Sequence, residues 1–493
     1  MSAVTWRRLD PRLLSIGLSV LCGPAAALVL AVSTTGVGSL QLLITLGALV
    51  VTAAVVACVM LLRLLTTRFR IVGGLFELRA GAVFRTVHRV PLGRVTSVDV
   101  TRGPLHRVVG LATLRIGTGD ARSVAQTRLT LDGLRLADAR ALRRELLVHR
   151  GGAVGDDGVL LALDRSWIRY APLSVWGIGA VLTAAGTTYR VLHEMKIDLG
   201  AILWSRLAEI PLWFGVTAGL VTVVVIGTVV SLCAFVENWT GYRLDRHADG
   251  ALHVRRGLLT TRATTIARRQ LRGVELIEPL LQRTAGAARV ETVATGLGTV
   301  DEDRRKRRLT PAVPRATGLR LAEQVLGLPI DVPLAGHPRA ALHRRISRGL
   351  GPVVIAAAVL VCCGLTVIGV AAALVGVPVA LALAFDSYRS LGHTIRARHL
   401  YVRSGTLARR TTALHQEAII GWSGSTSPFQ RRRGLITLTA ATAAGERRYR
   451  VRDVRRDTAL AIIQDLSGGD TLPVASWVAT GSAEKAEPAH RRR

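Results

Sequence analysis

Arginine is the side chain this sequence supplies in quantity, and its clusters set the first question about chemistry. Arg431, Arg432 and Arg433 stand in a row just before Gly434. Arg304, Arg305, Arg307 and Arg308 crowd a second segment, and Arg447 and Arg448 open a third that continues with Arg450 and Arg452. The whole chain of 493 residues has 65 Lys and Arg against 33 Asp and Glu, a formal charge of +32. Cations held beside an anionic leaflet each contribute about 1 kcal/mol, and the attraction decays within a Debye length. These three clusters are therefore the candidates for binding anionic lipid head groups. The competing reading is that arginines beside membrane spans only keep their segments on the cytoplasmic side.

Catalysis has little to stand on. The phosphate loop, the zinc-protease pair and the nucleophile elbow are all missing from the sequence. The 12 His are scattered without ligand spacing, and the five Cys (Cys22, Cys58, Cys233, Cys362, Cys363) lie in or beside apolar runs, where they behave as small apolar residues. No catalytic residue, cofactor or metal is expected. Nucleic acid is the other usual partner of a basic surface, but no helix-turn-helix or zinc finger occurs and aromatics are only 4%. A specific nucleic-acid role is therefore not expected.

What must position the arginines is a membrane. Mean hydropathy is +0.36 although 20% of residues are charged, so apolar and charged residues are segregated along the chain. Leu13–Ser33, Gln41–Leu62, Pro172–Thr188, Pro211–Val236 and Val353–Phe385 carry no charge. Crossing about 30 Å of hydrocarbon takes about 20 helical residues, so the first four read as single spans. The fifth, 33 residues long, reads as two short spans turning near Gly369, Gly376 or Pro378. One long tilted span is its alternative and would place the last third of the chain outside. Arginines flank the inner end of every pair, for example Arg63, Arg68 and Arg70 after the second span, while Thr34–Leu40 has no charge. By the positive-inside rule both termini and all large polar segments belong in the cytoplasm of a multi-pass cell-membrane protein. The first span could also be read as a signal peptide, which would leave the rest unchanged. The resulting segments are 1–12, cytoplasmic; hairpins 13–62, 172–236 and 353–385; polar modules 63–150, 237–330 and 386–467; and a disordered tail, 468–493.

The three polar modules repeat one another. Their first landmark is an alternating run closed by apolar-Arg-x-Gly, ending at Gly81, Gly257 and Gly405. A second glycine follows 29 residues later in each, at Gly110, Gly286 and Gly434. Before it stands a Pro-apolar element with basic residues, and after it alternation resumes, as in Leu111–Ile116. Period-two alternation predicts half-buried strands, and the glycines predict turns. Each module closes on an amphipathic helix: Ala137–Val148, with Leu142, Leu146 and Leu147 on one side, then Leu319–Leu326, then Arg455–Leu466. Residues 63–150, 237–349 and 386–467 carry net charges of +11, +10 and +9, nearly all of the excess.

Three hairpins, each followed by strands and one helix, resemble the bacterial pleckstrin-homology membrane proteins of the YdbS/YdbT type from Leu13 to about Leu466. The second copy departs through the charged insertion Asp301–Arg308. The resemblance implies an α+β membrane protein in which three transmembrane helical hairpins alternate with three antiparallel β-barrels, each capped by its C-terminal helix. It implies a non-enzymatic scaffold touching anionic membrane lipids through its arginine loops, binding a membrane or cytoplasmic protein through barrel edges or grooves, or self-associating. An accessory component of a transport or export system is the alternative. These spans, however, lack the ionisable groups that a conducting path usually needs.

Overall fold

The repeat glycines mark where the backbone needs conformations that other residues avoid. In the computed structural model Gly81, Gly257 and Gly405 have φ of 107°, 113° and 131°, each ending a strand. Gly110, Gly286 and Gly434 have φ of 77°, 70° and 63°, in the left-handed region that closes a short helical turn. The structure describes residues 6–19, 23, 25–26, 39–81, 86–118, 128–148, 158–194, 211–248, 250–295 and 305–467. The tail 468–493 and Arg304 lie outside the described residues.

The chain runs β1 (Arg7–Arg8), α1 (Leu13–Ser19) and α2 (Ser39–Thr66) into the first module. That module is β2 (Arg68–Val72), β3 (Leu75–Ala80), β4 (Thr86–Pro91), β5 (Val95–Arg102), the turn Pro104–Val109, β6 (Leu111–Thr118), β7 (Arg128–Arg135) and α3 (Leu136–Val148). After β8 (Gly158–Ala162) come α4 (Val175–Glu194) and α5 (Leu212–Trp239). The second module is β9 (Arg243–Arg246), β10 (Leu252–Arg256), β11 (Thr261–Ile266), β12 (Leu271–Pro279), the turn Leu280–Thr284, β13 (Ala287–Ala294), β14 (Val313–Pro314) and α6 (Arg315–Leu326). Helices α7 (Arg339–Cys362) and α8 (Thr366–Arg389) precede the third: β15 (Gly392–Arg396), β16 (His399–Ser404), β17 (Ala408–His415), β18 (Ile419–Ser425), the turn Pro428–Arg431, β19 (Leu435–Thr442), β20 (Arg448–Arg455) and α9 (Arg456–Ser467). The expected strands and closing helices are all present.

Among the described residues four helices are long and apolar enough to cross a membrane: Leu43–Thr66, Trp213–Trp239, Arg339–Cys362 and Thr366–Arg389. Of the six expected spans, the first lies mostly outside the described residues. The third forms α4, 20 residues that end on the polar Arg190-Val-Leu-His-Glu194. The 33-residue window is not one helix. Its turn sits at Gly364, whose φ is 82°, rather than at the glycines and proline expected. The first helix gains length by starting at Arg339, so α7 and α8 are both 24 residues long. Gly369 and Gly376 instead let the two helices touch: a Cβ on Gly376 would stand 2.7 Å from Val353, and one on Gly369 the same distance from Val361. Small residues serve this purpose wherever helices approach closely in lipid.

The chain divides into two compact units. In the first, the sheet β1-β2-β3-β4 and a seven-stranded sheet, β7-β6-β5-β11-β10-β9-β8, are separate hydrogen-bonded ladders. Phe69, Phe76 and Leu78 of the smaller sheet share one core with Val98, Leu111, Leu114, Ile116 and Leu131 of the larger, and Leu142 and Leu146 of α3 close it. The second unit holds the six-stranded sheet β14-β13-β12-β17-β16-β15 and the three-stranded sheet β18-β19-β20. Here Leu400, Val402 and Leu414 pack with Leu438, Val451 and Val454, and Ile462, Ile463 and Leu466 of α9 form the cap.

These ladders correct the expected barrels. Among the described residues no closed barrel forms; the first and third modules are each two sheets packed over a common core. In the first two modules the strand after the first sheet pairs outward instead, β5 with β11 of the second module and β12 with β17 of the third. A sheet edge has unpaired N–H and C=O groups, and a tandem array supplies a neighbouring edge to satisfy them. In the second module the last strand is short: β14 makes two pairs with β13, and Arg308 bridges Glu291 further along.

Candidate anion-binding cleft

Strand β20 alternates. Arg448, Arg450 and Arg452 are exposed while Tyr449, Val451 and Asp453 are buried, so the three arginines share one face. The neighbouring strands continue that face with hydroxyls: Thr439 pairs with Arg450 on one side and Ser423 on the other, and Thr437 pairs with Ser425. The register slips between Ile436 and Leu438, and Asp453 at this bulge takes a φ of 58°. Bulges re-aim side chains. The Asp453 carboxylate is buried, accepts from Gln430 Nε2 at 2.8 Å, and pairs with Arg344 and with Arg345, the latter at 3.4 Å. The Arg345 guanidinium also donates to Ser387.

Those bonds tie the Arg344 end of α7 to the sheet and to the Ser387 end of α8, and leave a cleft of about 1320 Å³ between helices and sheet. Arg344, Arg345 and Arg348 line it from α7, and Arg448, Arg450 and Arg452 from β20. Val353, Val379 and Leu383 line it from the apolar parts of the two helices. Asp453 is the one carboxylate lining it, and two arginines already engage it. Arg348, Arg448, Arg450 and Arg452 form no ion pair among the described residues. Burial, then repulsion from Arg450, lowers the Arg452 pKa from its ordinary value. That is the direction expected of cations crowded without enough anions. The cleft thus offers guanidinium forks and hydroxyl donors on one wall and aliphatic surface on the other. Guanidinium groups suit phosphate oxygens because their paired N–H groups match them.

The sequence clusters separate here. Arg448 is in the cleft, and Arg447 lies in the adjoining turn, exposed, with a φ of 62°. Arg431, Arg432 and Arg433 are exposed but do not line it; Arg433 donates to the Ala340 carbonyl at 3.4 Å. In the second module Arg307 is buried, Arg308 pairs with Glu291 at 3.5 Å, and Arg305 is exposed. In the sequence Arg344, Arg345 and Arg348 read only as charges flanking the fifth span. Arg448, Arg450 and Arg452 read as a cluster by proximity, although their every-second spacing already places them on one face. Nothing local marked the hydroxyls or Asp453.

A second basic recess, of about 280 Å³, lies in the other unit where β5 meets β11, lined by Arg102, Arg140, Arg143, Arg255, Arg262 and His253. At its centre Arg143 donates to Thr265 at 3.0 Å and reaches His253 at 3.0 Å.

The Bacterial PH domain family matches the chain at residues 25–149, 159–328 and 349–469. This chain belongs to that family. Three copies account for the threefold glycine frame, and the matched stretches include the apolar helices as well as the strands. No curated protein and no solved structure matches the chain. PH domains are in general interaction modules rather than catalysts, and they commonly bind lipids or proteins. The repeated sheets and apolar helices of this member are compatible with a membrane-associated scaffold.

Proposed function

We propose that this bacterial PH-domain protein is a non-enzymatic integral scaffold of the cell membrane that holds an anionic lipid in the cleft between its third helical hairpin and third module. Three transmembrane hairpins carry the three modules on the cytoplasmic face, with both termini inside, as the charge asymmetry around the spans favours. The observation that carries the reading is the pairing of walls: Arg348, Arg448, Arg450 and Arg452 without ion pairs, opposite Val353, Val379 and Leu383 on helices apolar enough to span. At the membrane interface the arginines lie where a phosphate head group lies and the aliphatic residues where an acyl chain begins. A single-site anion binder without the apolar wall would serve a soluble phosphate equally well. The exposed Arg431–Arg433 row and Arg447 add a diffuse attraction that salt screens.

The test is native mass spectrometry of the full chain purified with phosphatidylglycerol or phosphatidylcholine. Arg448→Ala, Arg450→Ala and Arg452→Ala together should cut phosphatidylglycerol retention at least tenfold. Arg431→Ala, Arg432→Ala and Arg433→Ala together should change it less than threefold. Equal retention by both triple variants, or no preference for phosphatidylglycerol in the parent, defeats the lipid reading.

A further inference from the structure

The two joins between modules obey one rule. Counted from the first repeat glycine of each module, Val100 is 19 residues past Gly81 and faces Ala263, 6 past Gly257. Ile277 is 20 past Gly257 and faces Arg410, 5 past Gly405. In both ladders the two offsets total 25 at every pair. The register is therefore a property of the module rather than of either sequence.

Three modules in a row use two such joins and leave one edge of each kind over. Strand β4 of the first module is the counterpart of β11 and β17, and it ends its sheet. Strand β18 of the third is the counterpart of β5 and β12, and it ends its own. Both edges are bare where their counterparts are covered: Val87 is 50% exposed and Ile420 73%, whereas Thr411, at the same offset as Val87, is 7% exposed. Gly421 stands at the offset of Gly273. At Gly273 the glycine lets the Ala413 carbonyl come close, while at Gly421 nothing lies within 4 Å. A fastening arginine repeats as well. Arg107 donates to the Leu258 carbonyl at 2.6 Å in the following module, and Arg283 pairs with Asp386 at 2.7 Å, in the helix that leads into the following module. Arg431 holds the same offset, is exposed and forms no ion pair among the described residues.

We infer that β18 of one chain pairs antiparallel with β4 of a second copy, continuing the module-to-module register between molecules. The shared offset puts Ser423 opposite His88, Trp422 opposite Arg89 and Gly424 opposite Val87. The contact is heterologous, so chains associate head to tail, in a ring if the rotation closes and in a row if it does not. Edge pairing by main-chain hydrogen bonds is a general mode of association, and this surface is continuous with two joins of the same kind. The lipid reading plays no part in the argument.

The experiment uses full-length chains freed of the native cysteines. Two differently tagged chains are co-expressed, one with His88→Cys and the other with Ser423→Cys, and oxidised in native membranes. A disulfide-linked pair carrying both tags is expected, at several times the yield obtained when Ile420→Cys replaces Ser423→Cys. Adding Val87→Lys to the first chain and Ile420→Lys to the second should lower that yield at least fivefold, since a charged edge resists pairing and neither side chain is in a core. The inference is overturned if the in-register yield does not exceed the off-register one, or if pairs with two identical tags predominate. It is also overturned if a single chain bearing both cysteines closes only on itself at monomer mass.

Discussion

The joins β5·β11 and β12·β17 follow one register and are held in different ways. The first has three paired residues, Val100 to Arg102 against Thr261 to Ala263. Around it side chains do the fastening, with Arg107 on the Leu258 carbonyl and Arg143 of the capping helix on Thr265 and His253. The second has seven pairs, Gly273 to Pro279 against Ala408 to Leu414, and Leu280 N–H extends it to the Leu407 carbonyl at 2.7 Å. Gly273 lets the backbones meet at the start of the long ladder, whereas the corresponding residue of the first module is Ser97, beyond the point where pairing has stopped. A module can thus be attached by backbone or by side chains, provided the register is kept.

Breaking that comparison at its strongest point means Gly273→Val. A Cβ there would overlap the Ala413 carbonyl. The ladder must separate or the strands shift, and a cost of about 3 kcal/mol or more is expected, as for other overpacked buried sites. In hydrogen exchange of the full chain, the amides of Thr411 to Leu414 should lose over a hundredfold of their protection, while those of Thr261 to Ala263 keep theirs. Equal loss in both sets would mean that the joins are not independent.

A smaller effect separates the joins by pH. Glu275 in β12 is buried, opposite Glu291 on one side and Thr412 on the other. Burial, only partly offset by Arg410, pushes its pKa up to about 7. The folded chain therefore binds more protons than the unfolded chain between about pH 4.5 and 7, and stability falls as pH rises through that window. Glu275→Gln removes the cost, and Arg410 keeps its pair with Glu446. At pH 8 the variant should be more stable than the parent by up to about 3 kcal/mol, and at pH 5 by less than about 1 kcal/mol. A larger gain at pH 5 than at pH 8 would show that Glu275 is ionised in the fold. The same protein's Asp99, at the equivalent offset of the first join, is also buried.

Much of this architecture is legible in the sequence, and the limits are physical. Period-two runs and the glycines at 81, 110, 257, 286, 405 and 434 report local backbone needs, so strands, turns and capping helices can be read directly. Which strand lies beside which depends on contacts more than a hundred residues apart, as at Ile277 and Arg410, and no local pattern encodes them. The cleft divides in the same way. The alternation of Arg448, Arg450 and Arg452 is local, but their approach to Arg348 and Val353 depends on the Asp453 carboxylate, which a bulge turns toward Arg344 and Arg345. Likewise the turn of the third hairpin sits at Gly364 because the arginine-rich stretch from Arg339 is helical, which hydropathy alone does not weigh.

The smallest expected effect is also the one that most sharpens the contrast between joins. Arg107 and Arg283 occupy equivalent positions, yet they support ladders of three and seven pairs. A charged group donating to a backbone carbonyl contributes about 1.5–3 kcal/mol and less where water competes, so about 1 kcal/mol is expected of the exposed Arg107 bond. With only three pairs beneath it, Arg107→Ala should raise the exchange rates of the Arg262 and Ala263 amides about fivefold. Arg283→Ala removes a pair with Asp386 that is shared with Arg409 at 3.6 Å, above a ladder that does not need it. Its β17 amides should stay within twofold of the parent. If instead Arg283→Ala loosens β17 as much as Arg107→Ala loosens β11, then ladder length is not what distinguishes the joins, and the arginines are fasteners of equal weight in both.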